Sequence, residues 1–125
     1  MEVLLYIAAC LLIAVSGAHS YLGERYILSR LFKRDNLPKL FGGTEFTRHT
    51  LRFAWHLTSI AWCGFAAILF VLAQPSITKA AIANIIMATF TLHFLMALLG
   101  SKAKHLSWLV FLLVALCSTL AVQIG

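Results

Sequence analysis

Charge is scarce in this chain of 125 residues, and acid is scarcer still: Asp and Glu number four against ten Lys and Arg. The acids are Glu2, Glu24, Asp35 and Glu45, and none forms a Glu-x-x-His pair of the di-iron type. Proline is limited to Pro38 and Pro75, each in a turn-like stretch. The three cysteines, Cys10, Cys63 and Cys117, lie in apolar runs without a CxxC spacing, so a disulfide framework is not expected and they read as inert buried thiols. There is no HExxH, no serine nucleophile elbow, no phosphate loop and no dinucleotide fingerprint; Gly42-Gly43 is a turn signal. No basic groove interleaved with aromatics occurs in a soluble segment, so nucleic acid is not an expected partner.

What is present is hydrocarbon. Hydrophobic residues make up 62% of the chain, charged ones 11%, and the mean hydropathy is +0.93, values that point to an all-α integral membrane protein of one domain, residues 1–125. Four transmembrane helices are predicted at about 3–22, 45–73, 77–100 and 105–122, joined in an up-down-up-down bundle, with a cytoplasmic loop at about 30–44. The run Val3 to Val15 followed by Ser16-Gly17-Ala18 has the small residues of a signal-peptide cleavage site, but only Glu2 precedes it, and the positive charge of such a segment is missing. Tyr21 to Phe32 keeps a mixed apolar and basic pattern suited to an interface, with Gly23 marking a kink. Asn36, Pro38 and the glycine pair mark the loop, Thr44 or Thr47 caps the second helix, and Gln74-Pro75-Ser76 turns the chain into the third. The four-helix length is similar to that of small multidrug transporters, but no glutamate lies deep in the first helix; Glu24 stands at its interfacial end.

The basic residues set an orientation. Arg25, Arg30, Lys33, Arg34, Lys39, Arg48, Arg52, Lys102 and Lys104 fall at one membrane face, and Lys79 alone at the other. By the positive-inside rule the first face is cytoplasmic and both termini, Met1 and Gly125, lie outside, in the inner membrane if the source is bacterial. The expected partners are the bilayer, anionic lipid headgroups at the cytoplasmic face, and a membrane-complex partner or a second copy.

The second helix carries the candidate site. His49, Arg52, His56, Ser59 and Cys63 recur at helical spacing and form one polar stripe that enters the apolar segment. Polar groups there cost about 2.5 to 3.5 kcal/mol each when charged, so they are expected to face partners or water. His19, His56 and His93 fall at similar depth on three helices, with Ser16, Ser20 and Gly23 on the general side of His19. His56 and His93 are expected to face each other and bind haem b or a transition-metal ion, with His19 and Glu24 in or near a metal's ligand set and Arg48 and Arg52 on haem propionates. Two other readings stand beside this one. The group could handle protons or an anionic lipid headgroup, or the chain could be an accessory or assembly subunit of a larger membrane complex. The outer half is nearly bare of polarity, with Asn84, Ser118, Thr119 and Gln123, so no polar path across the bilayer is visible.

Overall fold

The computed structural model describes residues 1–124 and is all-helical, with no strand among those residues. Gly125, expected on the outer side, falls outside the described residues. Four helices are long and apolar enough to cross a membrane: α1, Glu2–Leu31; α2, Glu45–Leu72; α3, Lys79–Gly100; and α4, Ser107–Ile124.

The helix ends differ from the sequence expectation for local reasons. α1 does not stop near residue 22 but continues through the interfacial pattern, with its turns widened to a π-helix over Gly23–Leu28. A side chain intrudes on the hydrogen-bond ladder there: the Trp55 indole N–H donates to the His19 carbonyl at 3.0 Å, and the Gly23 N–H is shared between the carbonyls of His19 and Ser20. Such insertions are a known cause of local unwinding. α3 begins at Lys79 because Thr78 is its N-cap, accepting the Ala81 N–H at 3.0 Å. Thr44 occupies the N-cap position of α2 without a side-chain cap, whereas the Thr47 hydroxyl donates to the Pro38 carbonyl at 2.8 Å and ties the loop to the helix. α4 starts at Ser107, after a turn that holds Lys102 and Ala103 at positive φ. His105 closes that turn, its Nδ1 accepting from the Ser107 N–H at 3.3 Å.

Close packing joins α1 to α2, α2 to α3 and α3 to α4. Among the described residues α1 does not pack on α3 or α4, so both α1 and α3 lean on α2 with a groove left between them. Three glycines allow close approach between helices, Gly100 against Phe53 among them. A Cβ on Gly23 would lie 2.0 Å from the Trp55 indole nitrogen, and one on Gly64 would lie 2.6 Å from the Thr89 hydroxyl. The buried set is correspondingly small-sided, with Ala9, Ser16, Ser59, Ala66, Ala97 and Ala115 at the helix contacts. The outward faces instead carry exposed Leu4, Phe70, Leu95, Leu109, Leu113 and Leu120.

Candidate functional site

The polar stripe of α2 meets the end of α1 in a continuous hydrogen-bonded chain. Arg52 donates from a terminal guanidinium nitrogen to Glu24 Oε1 at 2.8 Å, and Glu24 Oε2 lies 3.3 Å from His56 Nε2. On the other side of the ring, His56 Nδ1 is 2.9 Å from Ser20 Oγ, which is itself 2.7 Å from Ser59 Oγ. The chain thus runs Arg52, Glu24, His56, Ser20, Ser59, alternating between the two helices. The Ser20 hydroxyl is placed to donate to Ser59 Oγ or, with the Nε2 proton directed at the carboxylate, to His56 Nδ1.

Local helix geometry explains the assembly. Ser16, Ser20 and Glu24 follow one another at four-residue steps on α1, and Arg52, His56 and Ser59 follow at four and three on α2, so each helix presents one polar row. Glu24 sits in the widened π turn beside Trp55. Arg52 is held from two sides, by Glu24 and by the Phe32 ring 5.0 Å below its guanidinium carbon. More basic side chains crowd the same end of α1: Arg25 bonds the Tyr21 hydroxyl at 3.1 Å, and both Arg25 and Arg30 lie over the Tyr26 ring.

Two hollows border His56. A cup of about 200 Å³ is lined by His49, Arg52, His56 and Met96, with Phe53, Leu99 and Gly100 closing it. A larger groove of about 490 Å³ follows the gap between α1 and α3 and is lined by Ser16, Gly17, Ser20, Ser59 and Cys63 alongside Ile13 and Leu92. His56 and Met96 belong to both linings. One hollow thus has the Arg52 guanidinium and the His49 ring in its lining, the other is mostly apolar, and they adjoin at the imidazole.

The other expected ligands lie elsewhere. The His19 ring stacks on Trp55 with centroids 4.5 Å apart and meets the Trp62 edge at 5.0 Å, and its Nε2 is buried without a hydrogen-bond partner. His93 is 7% exposed and directs Nδ1–H at the Thr89 carbonyl, 2.8 Å away, between Phe90 and Phe111. It lines a separate apolar cavity of about 260 Å³ with Ala61, Gly64 and Phe65. His56 and His93 thus share no lining, and among the described residues no three His, Cys, Asp or Glu side chains gather closely enough to hold a metal ion. Arg48 has its Nε buried and unpaired. His49 pairs with Glu45 at 3.3 Å, one turn back on α2.

The sequence singled out Arg52, His56, Glu24 and Ser59, but it set Ser20 beside His19, and the structure instead makes Ser20 the link from His56 to Ser59. Cys10, Cys63 and Cys117, expected to be buried, are all exposed, Cys63 on the groove. No protein-family model matches this chain, and neither a curated protein nor a solved structure shows similarity to it.

Proposed function

We propose that this chain is a bilayer-spanning protein that binds an anionic amphiphile in the cleft of α1, α2 and α3, with the headgroup in the cup and an apolar chain in the groove. The observation that carries this reading is the adjacency of the two hollows at His56 and Met96. Arg52 keeps guanidinium donors beyond the one given to Glu24, and His49 stands beside it, so an anionic headgroup meets charge-assisted donors. The groove supplies the complementary apolar wall. Exposed Leu and Phe on the outer helix faces, together with the length and hydropathy of all four helices, support membrane insertion. The sorting of nine basic residues to one end supports a cytoplasmic cup and outer termini, in the inner membrane of a bacterial source.

The test is lipid retention by native mass spectrometry of the detergent-purified protein, loaded with phosphatidylglycerol or phosphatidylcholine. Phosphatidylglycerol is expected to be held preferentially. Arg52→Gln should reduce that retention by about tenfold or more, the effect of losing one hydrogen bond to a charged group of ~1.5 to 3 kcal/mol. Equal retention of both lipids, or no effect of Arg52→Gln, overturns the reading.

The cofactor reading keeps one specific support. The bond from His93 Nδ1–H to Thr89 leaves Nε2 as a lone-pair donor, on a residue that borders an apolar cavity. Haem or metal held there would be seen in the visible spectrum and elemental analysis of the purified protein, and would be lost in His93→Ala. A colourless, metal-free preparation sets this second reading aside.

A further inference from the structure

The geometry points to Ser20 as a nucleophile toward acyl esters, with His56 as its general base and Glu24 as the residue that positions the imidazole. This inference rests on the amphiphile reading for its substrate class, but its chemistry stands on the side chains alone. A hydroxyl 2.9 Å from one ring nitrogen, and a carboxylate 3.3 Å from the other, reproduce the roles of a Ser-His-acid triad, which is recognised by geometry and not by sequence position. The ring is used in the reverse sense from serine proteases, with Nδ1 toward the hydroxyl. That reversal leaves the function intact, because the nitrogen held by the carboxylate carries the proton and the other is free to accept one.

Placement argues for the same chemistry. Ser20 is not sealed between the helices: with Ser59 and His56 it lines the groove proposed to hold the apolar chain. In a glycerolipid the acyl ester lies between headgroup and chain, and the cup and groove meet at His56. An amphiphile seated across both hollows therefore presents its ester near Ser20. A link serving only to hold α1 against α2 would be satisfied by the two serines, without a titratable ring and a carboxylate in series.

The step balances without a redox partner. As Ser20 Oγ bonds to the acyl carbon, its proton passes to His56 Nδ1 and the carbonyl electron pair moves onto oxygen. The Ser59 hydroxyl, which accepts from Ser20 Oγ at 2.7 Å, keeps its own proton and can turn it to that oxygen. Collapse breaks the ester C–O bond, and the leaving alkoxide takes the proton from Nδ1. Water, activated by the same nitrogen, then cleaves the acyl-Ser20 ester. The net change is ester plus water to fatty acid plus alcohol.

The test uses the full-length protein in detergent and a biotinylated fluorophosphonate, which reacts with activated serine hydroxyls. Wild type should be labelled on Ser20, as mapped by peptide mass. Ser20→Ala should abolish the label, and His56→Gln should slow labelling by about 100-fold or more, the usual size of a general-base contribution. Glu24→Gln should slow it while Glu24→Asp restores most of the rate, a rescue that loss of packing alone would not show. Ser118→Ala, on α4 with its hydroxyl bonded to the Val114 carbonyl, should label like wild type. Protein denatured before addition should not react. No label on folded wild type, or a label that persists in Ser20→Ala, overturns the assignment; if Ser20→Ala fails to fold, the mapped site and the His56→Gln rate decide. Labelling without phosphatidylglycerol retention supports the nucleophile and overturns the amphiphile reading, whereas retention without labelling overturns the nucleophile alone.

Discussion

Arg52 shows how one residue can tie two helices together. Its guanidinium holds Glu24 and covers Phe32, and Glu24 in turn holds the far nitrogen of His56. Both partners of the ion pair remain about half exposed, so the pair itself is worth about 0.2 to 1 kcal/mol, in the range of surface salt bridges. Arg52→Gln should therefore destabilise the protein by roughly 1 kcal/mol at most, measured by denaturant unfolding in detergent micelles. Lys102→Gln should have no measurable effect, because Lys102 is exposed in the turn before α4 and no side-chain partner for it is seen among the described residues. Equal effects of the two substitutions would reduce Arg52 to an interface anchor.

At the scale of the element, the π turn and the helix caps make separable contributions. Gly23 has ordinary helical φ and ψ, −60° and −50°, so helix propensity alone predicts that Gly23→Ala stabilises by about 1 kcal/mol. Packing opposes this. The new methyl would stand 2.0 Å from the Trp55 indole, and that ring is confined by its stack on His19 and its bond to the His19 carbonyl. Overpacking of this kind costs about 1 to 3 kcal/mol, and the rigidity of the indole puts this case at the upper end. Gly23→Ala should thus be net destabilising and should disturb Trp55 fluorescence; a more stable variant would show that the indole moves aside freely. Thr78→Ala tests a simpler device. Loss of the bond to the Ala81 N–H should cost about 1 kcal/mol, with fraying of the first turn of α3 visible as faster amide exchange at Ala80 to Ile82.

For the whole molecule, the open row of helices and the sorted charges predict a sided protein with its hollows at the basic end. On a background with Cys10, Cys63 and Cys117 replaced, a cysteine at Lys39 should resist a membrane-impermeant maleimide in intact cells, and one at Lys79 should react. The reverse pattern would place the cup outside and remove the argument for cytoplasmic lipid headgroups. The absence of close packing between α1 and α3 is the feature on which the groove depends. A disulfide or bulky pair that closed that gap should abolish lipid retention while leaving the helix content by circular dichroism unchanged.

Patterns along one dimension were enough to read the four apolar helices, the turn at Pro75, the sorting of Lys and Arg, and the polar row from His49 to Cys63. These follow from hydropathy and the 3.6-residue period, which every helix obeys whatever it packs against. The equal distance of His56 and His93 from the turn at Pro75 was legible for the same reason. Their partners were not, because equal depth says nothing about rotation of a helix about its axis. Tertiary contacts set that rotation: Trp55 seated against Gly23 turns His56 toward Ser20 and Glu24 on α1, and Thr89 seated against Gly64 accompanies a His93 that faces Phe111 on α4. The link through Ser20, the stacking of His19 on Trp55 and the groove left between α1 and α3 all depend on those rotations and on which helices touch. Composition and spacing determined that polar groups would interrupt the apolar helices, and packing alone decided which of them would meet.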